Sequence, residues 1–226
     1  MLFPELAARA AEVRVRIDAA AKRGGHGQNV TIVAVTKTHG PEAVRAASAQ
    51  GISDIGENRV QEALAKMKDV EEPVRWHLIG HLQRNKVKSL DSFSLFHALD
   101  SMRLAEAIDR FAGERGKPFD VLVQVNPARE ETKGGFDMHE IEAAATKLSA
   151  MSGLRVRGAM TVARLGADEA ELRETFGAVR VTCSVLADAG HPATDLSMGM
   201  SNDFEIAVEE GATMVRLGSV LFGARE

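Results

Sequence analysis

A lysine stands where an apolar strand runs out. Five of the six residues 31–36 are β-branched, and Lys37 follows, ahead of a Thr-His-Gly turn. Desolvation at the end of a buried strand lowers an ammonium's pKa and frees the neutral amine. A neutral amine attacks carbonyls and forms a Schiff base. The plain alternative is a solvated surface lysine. Far along the chain, "DLSMGMSNDFE" (residues 195–205) places Ser197 and Ser201 around Gly199, with a helix expected to begin near Asn202. Free N–H groups at a helix start attract anions. "VRLGSVLFG" then puts Gly218 and Ser219 at the opening of a short helix. Either segment alone reads as a capped loop. Together they describe a phosphate site.

A Schiff-base lysine facing a phosphate site points to pyridoxal 5′-phosphate (PLP) as cofactor. No GxGxxG and no GxxxxGK[ST] stands in the chain, which weakens a nucleotide reading. Arg216 ends the last expected strand. It has two readings: a donor to the pyridine nitrogen, or a phosphate clamp or rim ion pair. In the first, the guanidinium keeps its proton, and the ring becomes a weaker electron sink. "WHLIGHLQRNK" carries His77 and His81 four apart, but it reads as strand, Gly80 turn and helix, with no third ligand for a metal. His77 either lines the site or satisfies a core bond. In "GENRVQE", Asn58 either bonds the cofactor or caps the helix that follows. "NPAREETKGGF" is a polar loop at the same rim. Cys183 falls on an apolar helical stripe with Leu172, Phe176, Val179 and Leu186, and reads as core.

Eight apolar runs must position these groups: 31–35, 54–56, 75–79, 95–98, 120–125, 156–160, 194–196 and 213–217. Several are continuously apolar, as strands buried on both faces are. Helical patterns fill the gaps. Pro41 suits a first helical turn, and Gly51 suits the end of that helix. Asp137 with Glu140 predicts a capping box ahead of Ile141, Ala144, Ala145 and Leu148. Leu6, Ala10, Val13 and Ile17 predict an N-terminal helix within residues 1–23. Eight strand–helix units predict an α/β protein, a single (β/α)8 TIM barrel spanning 1–226 with the extra N-terminal helix packed on it. A doubly wound open sheet is the rival. In the barrel, Lys37, Asn58 and the phosphate segments share the face formed by the strand C-termini.

The bulk properties exclude several classes. The 226 residues carry 28 Lys and Arg against 32 Asp and Glu, a net charge of −4, unlike a nucleic-acid binder. One cysteine permits no intrachain disulfide, which fits a cytoplasmic protein. No apolar run reaches the roughly 18 residues of a membrane span. Glu5, Glu12 and Asp18 interrupt what would otherwise pass for a transit peptide.

"VAVTKT", "IGENRVQE", "WHLIGHLQRNK", "GGF" after "NPAREETK", "LSMGMSNDFE" and "MVRLGSVLFGARE" resemble the pyridoxal phosphate homeostasis protein family, in order from Val33 to Glu226. Its members look like the barrel of alanine racemase standing alone, a fold-type III PLP barrel. The resemblance implies that Lys37 carries PLP and that Ser201, Gly218 and Ser219 hold its phosphate. It puts Arg216 near the pyridine nitrogen, and Asn58 and His77 in the pocket. The chain departs from the family at Arg59, where Tyr is common, and at Ser219, where Thr is common.

Three functions compete. The first is PLP homeostasis: holding, buffering and delivering the cofactor, with effects on amino-acid and keto-acid balance and no defined turnover. Its expected partners are PLP itself and apo PLP-dependent enzymes, for a monomer that meets neither nucleic acid nor membrane. The second is an amino-acid racemase or decarboxylase of the same barrel. Alanine racemases resemble one another in using a Tyr base from a second, β-rich domain. This chain contains no tyrosine, and the barrel consumes its length. The third is a class I aldolase-like barrel using Lys37 on a sugar phosphate.

Overall fold

The computed structural model describes residues 3–130 and 133–223. Both ends of the expected 1–226 span, and residues 131 and 132 of the loop predicted at the rim, lie outside the described residues.

The first β-rich run forms β1 (Thr31–Val35), and seven more strands follow. They are β2 (Asp54–Glu57), β3 (Arg75–Leu78), β4 (Leu95–Leu99), β5 (Phe119–Gln124), β6 (Leu154–Met160), β7 (Asp195–Ser197) and β8 (Met214–Leu217). All eight expected runs became strands, shifted by at most two residues at an end. They pair in parallel in chain order and close into a barrel, with β1 against β8 through Thr31–Met214, Ile32–Val215, Val33–Arg216 and Ala34–Leu217. Closure rules out the open doubly wound sheet.

The outer layer is helical: α1 (Leu6–Gly24), α2 (Pro41–Ala49), α3 (Val60–Met67), α4 (Met102–Arg115), α5 (Ile141–Ser149), α6 (Glu169–Asp188), α7 (Phe204–Glu209) and α8 (Ser219–Phe222). A 3-10 segment, Arg84–Ser92, replaces the helix expected after β3. Pro41 opens α2, and Gly51 just beyond its end takes φ 71°. The apolar face of α6 is buried as expected, and burial pushes the Cys183 thiol up to about 12, as suits a core cysteine.

One helix start differs from expectation. The Asp137 carboxylate is held by Arg129 and by the His139 ring, at 2.9 and 2.7 Å. The chain there forms a short 3-10 turn, Met138–Glu140, and no reciprocal box. Among the described residues, a capping box stands instead at the start of α6. There Glu171 N donates to Asp168 at 2.9 Å, and Asp168 N donates to Glu171 at 3.1 Å.

Helix α1 does not belong to the strand–helix alternation. Its buried stripe of Leu6, Ala10, Val13, Ile17 and Ala20 packs on α7 and α8. Arg16 reaches Glu205 at 2.8 Å and lies over the Phe204 ring, and Arg23 reaches Glu209 at 2.6 Å. The first helix thus backs the two short helices that carry the serine loops.

Candidate cofactor site

The strand C-termini surround a cavity of about 1010 Å³. Lys37 enters from the turn after β1 and Asn58 from the end of β2. Ser201 comes from the β7 loop, and Arg216, Gly218 and Ser219 come from β8 and its exit. Residues from both ends of the chain thus line one space. Of the seven residues singled out in the sequence, six line it.

His77 does not. Ile79 lines the cavity. His77 precedes it by two residues on the same strand face, so its ring sits roughly 7 Å deeper. It occupies the barrel interior instead, 4% exposed, with Nδ1 at 2.8 Å from His97 Nε2 and Nε2 at 2.9 Å from Asp54. The core-bond alternative describes it. His81, exposed, reaches Asp100 at 2.8 Å, and no metal-binding cluster exists among the described residues.

The same interior chain runs up to the cavity floor. His97 Nδ1 lies 2.9 Å from Ser197 Oγ. β4 and β7 are not neighbours in the sheet, so this contact crosses the barrel. Arg216 donates through Nη1 to Ser197 Oγ and Ser197 O, and through Nη2 to Thr161 O, all at 2.7 Å. A guanidinium only donates and a carboxylate only accepts. One proton assignment satisfies every group between them. Ser197 donates to His97, the His97 Nε2–H donates to His77, and the His77 Nε2–H donates to Asp54. Burial drives the His97 ring's pKa well below its ordinary value, with Arg216 and His77 adding to the effect. Burial raises the Asp54 carboxyl, but hydrogen bonds from His77 and Arg75 outweigh that and hold it at about 2. Burial lowers the Arg216 guanidinium to about 10, with Asp203 pulling it back up, so it stays charged at neutral pH.

Backbone geometry shapes the rim. Ser201 Oγ accepts from Gly218 N and Val220 N, each at 3.3 Å, which joins the β7 and β8 loops. Gly199 turns the chain there with φ 91°. A Cβ at that position would stand 2.6 Å from Ala207 Cβ, so the loop depends on glycine. Gly80 lies against Asn58, whose carbonyl oxygen would be 2.3 Å from an added Cβ.

Residues 10–226 match the family described as alanine racemase, N-terminal domain. A pyridoxal phosphate homeostasis protein of Aquifex aeolicus is 39% identical over 96% of this chain and 97% of its own length. The chain belongs to the pyridoxal phosphate homeostasis protein family. PipY of Synechococcus elongatus, solved with PLP bound, matches this family member with a TM-score of 0.84 and 37% identity, over 96% of this chain and 100% of that one. The alanine racemase of Corynebacterium glutamicum matches at a TM-score of 0.72 and 16% identity, covering 92% of this chain and 61% of its own, a likeness of fold.

One cavity residue of this homeostasis-family chain escaped the sequence reading, and the rim loop placed by that reading supplies two more. Asp203 lines the cavity and accepts from Met200 N at 2.5 Å. Its position inside "SMGMSND" was the available signal. Lys133 and Glu130 close the rim from the β5 loop. Lys133 Nζ donates to Glu130 at 2.7 Å, Ala163 O at 3.0 Å and Val162 O at 3.2 Å. All three of its donors are therefore engaged.

Proposed function

We propose that this protein holds PLP in the barrel mouth and releases it to other proteins, with no catalytic turnover of its own. The observation that carries this reading is the meeting of Lys37, Ser201, Gly218, Ser219 and Arg216 in one cavity. The donor set fits the cofactor, with an amine for an aldehyde, hydroxyls and N–H groups for a phosphate, and a guanidinium for a ring nitrogen. The relatives' name and the PLP in PipY support it.

Bound PLP supplies an aldehyde, which condenses with a lysine amine and loses water, and a ring that accepts electrons. Lys37 is the amine we assign. Ser201 and Ser219 offer their hydroxyls to the phosphate beside Gly218, and the Gly218 and Val220 N–H groups hold the Ser201 oxygen in place. Arg216 presents a donor that keeps its proton, held in orientation by Ser197 and Thr161. A pyridine nitrogen facing it gains a hydrogen bond but no proton, and the ring draws electrons less strongly. The chain has no tyrosine to serve as an acid–base partner. These residues favour retention over turnover. The reading further assigns apo PLP-dependent enzymes as acceptors, in the cytoplasm.

A transfer assay tests it. Holo-protein mixed with an apo PLP-dependent enzyme should activate it, with kinetics distinct from those of free PLP. Identical kinetics would reduce the protein to a passive PLP binder.

A further inference from the structure

Helix α3 grips the backbone on both sides of Lys37. The Thr36 carbonyl accepts from Lys66 Nζ at 2.8 Å. The Thr38 N–H donates to Glu62 Oε1. Glu62 and Lys66 lie one turn apart on the same helix, so a single rigid element holds the peptide groups before and after Lys37.

The device is expensive to build. Lys66 and Glu57 are 5% and 0% exposed and form an ion pair, and Glu57 also accepts from Thr36 Oγ1 at 2.5 Å. Glu57 Oε2 is buried without a hydrogen-bond partner. A buried pair with an unsatisfied oxygen is poor evidence for stability, because apolar residues often serve as well. It does fix geometry. The backbone it fixes is strained: Thr38, a β-branched residue, takes φ 69°, a region such residues avoid. Strain of this kind persists where the surroundings enforce it, and it clusters at ligand sites.

We propose that Glu62 and Lys66 are positioning residues for Lys37, setting the direction in which its side chain leaves β1. The same helix begins two residues beyond Asn58, so α3 couples two groups of the cavity rim. The proposal rests on the PLP reading above and concerns how fast Lys37 captures the aldehyde.

The test compares PLP with pyridoxine 5′-phosphate, which carries the phosphate but no aldehyde. Glu62→Ala should slow capture of PLP by about ten-fold, the effect of losing one hydrogen bond to a charged group. It should leave the affinity for pyridoxine 5′-phosphate unchanged. Lys66→Met should act in the same direction, and Lys66→Arg should recover part of the rate. Thr38→Gly adopts the turn without strain. In that background, Glu62→Ala should cost little. If Lys66→Met does not fold, Glu62→Ala and its Thr38→Gly partner decide. Equal capture rates in wild type and Glu62→Ala overturn the proposal, as does a parallel loss of both ligands, which marks a merely structural role. A wild-type protein that captures no PLP at Lys37 overturns the PLP reading and this proposal together.

Discussion

His77 Nδ1 and His97 Nε2 stand 2.8 Å apart inside the barrel, and one of the two nitrogens carries no proton. A proton added to His97 would have to go on Nδ1, against the Ser197 hydroxyl. The chain from Arg216 to Asp54 would then lose its matched order. Because the folded-state pKa of His97 lies well below the ordinary value, the unfolded chain binds a proton below about pH 6.5 that the folded barrel refuses. Stability should fall as pH falls through that window, by up to about 1.4 kcal/mol per pH unit from this residue. Urea midpoints from about pH 7 to about pH 5 measure it. His97→Gln should flatten the slope, and an unchanged slope in that variant would remove His97 as the cause.

Lys37 should be the labelled residue after borohydride treatment of the PLP complex, as peptide mapping will reveal. Lys133 lines the same cavity but enters from the β5 loop, whereas Lys37 follows β1, the strand paired with β8 and its Gly218–Ser219 exit. Lys37→Ala should abolish covalent retention while leaving weaker, phosphate-directed binding. A label on Lys133 or Lys86 would refute the assignment.

Pyridoxal should bind far more weakly than PLP. Both carry the aldehyde, but only PLP engages Ser201, Ser219 and the nearby N–H groups. Hydrogen bonds to a charged group contribute roughly 1.5–3 kcal/mol each. Two of them correspond to at least about 100-fold in affinity. Ser201→Ala combined with Ser219→Ala should narrow the gap, read by titration of the two ligands. Equal affinities in wild type would mean that these loops hold no phosphate.

Racemisation, transamination and decarboxylation of common amino acids should be negligible. Arg216 faces the cavity and no tyrosine base exists. A placed acid–base group contributes roughly 10²–10⁴-fold. Racemisation of alanine or serine at about 10 s⁻¹, the enzyme median, would contradict a non-catalytic role.

The strands were legible because barrel strands buried on both faces read as plain apolar runs. Lys37 and the serine loops were legible because each follows such a run directly. Depth was not legible. His77 and Ile79 share a strand face, and nothing local says which reaches the cavity. The links from His97 to Ser197 and from Ser197 to Arg216 join strands far apart in the chain, and they exist only once the barrel closes. Asp137 and Glu140 have the spacing of a capping box. Arg129, eight residues earlier, takes the carboxylate that would have made one. Lys66 carries no local signal, because its partner Glu57 ends β2 and turns away from the barrel interior toward α3.

Closure of β1 on β8 also sets a schedule. A ribosome makes Lys37 early and the Ser201–Ser219 segments last, and α1 waits throughout for α7 and α8 to pack against. Contacts this remote in sequence form late and slow the folding of a chain. No partly made chain owns both halves of the cavity. On the PLP reading, capture at full affinity should therefore await the closed barrel. A chain that stops short of β8 should then hold PLP no more tightly than a variant lacking one half of the cavity.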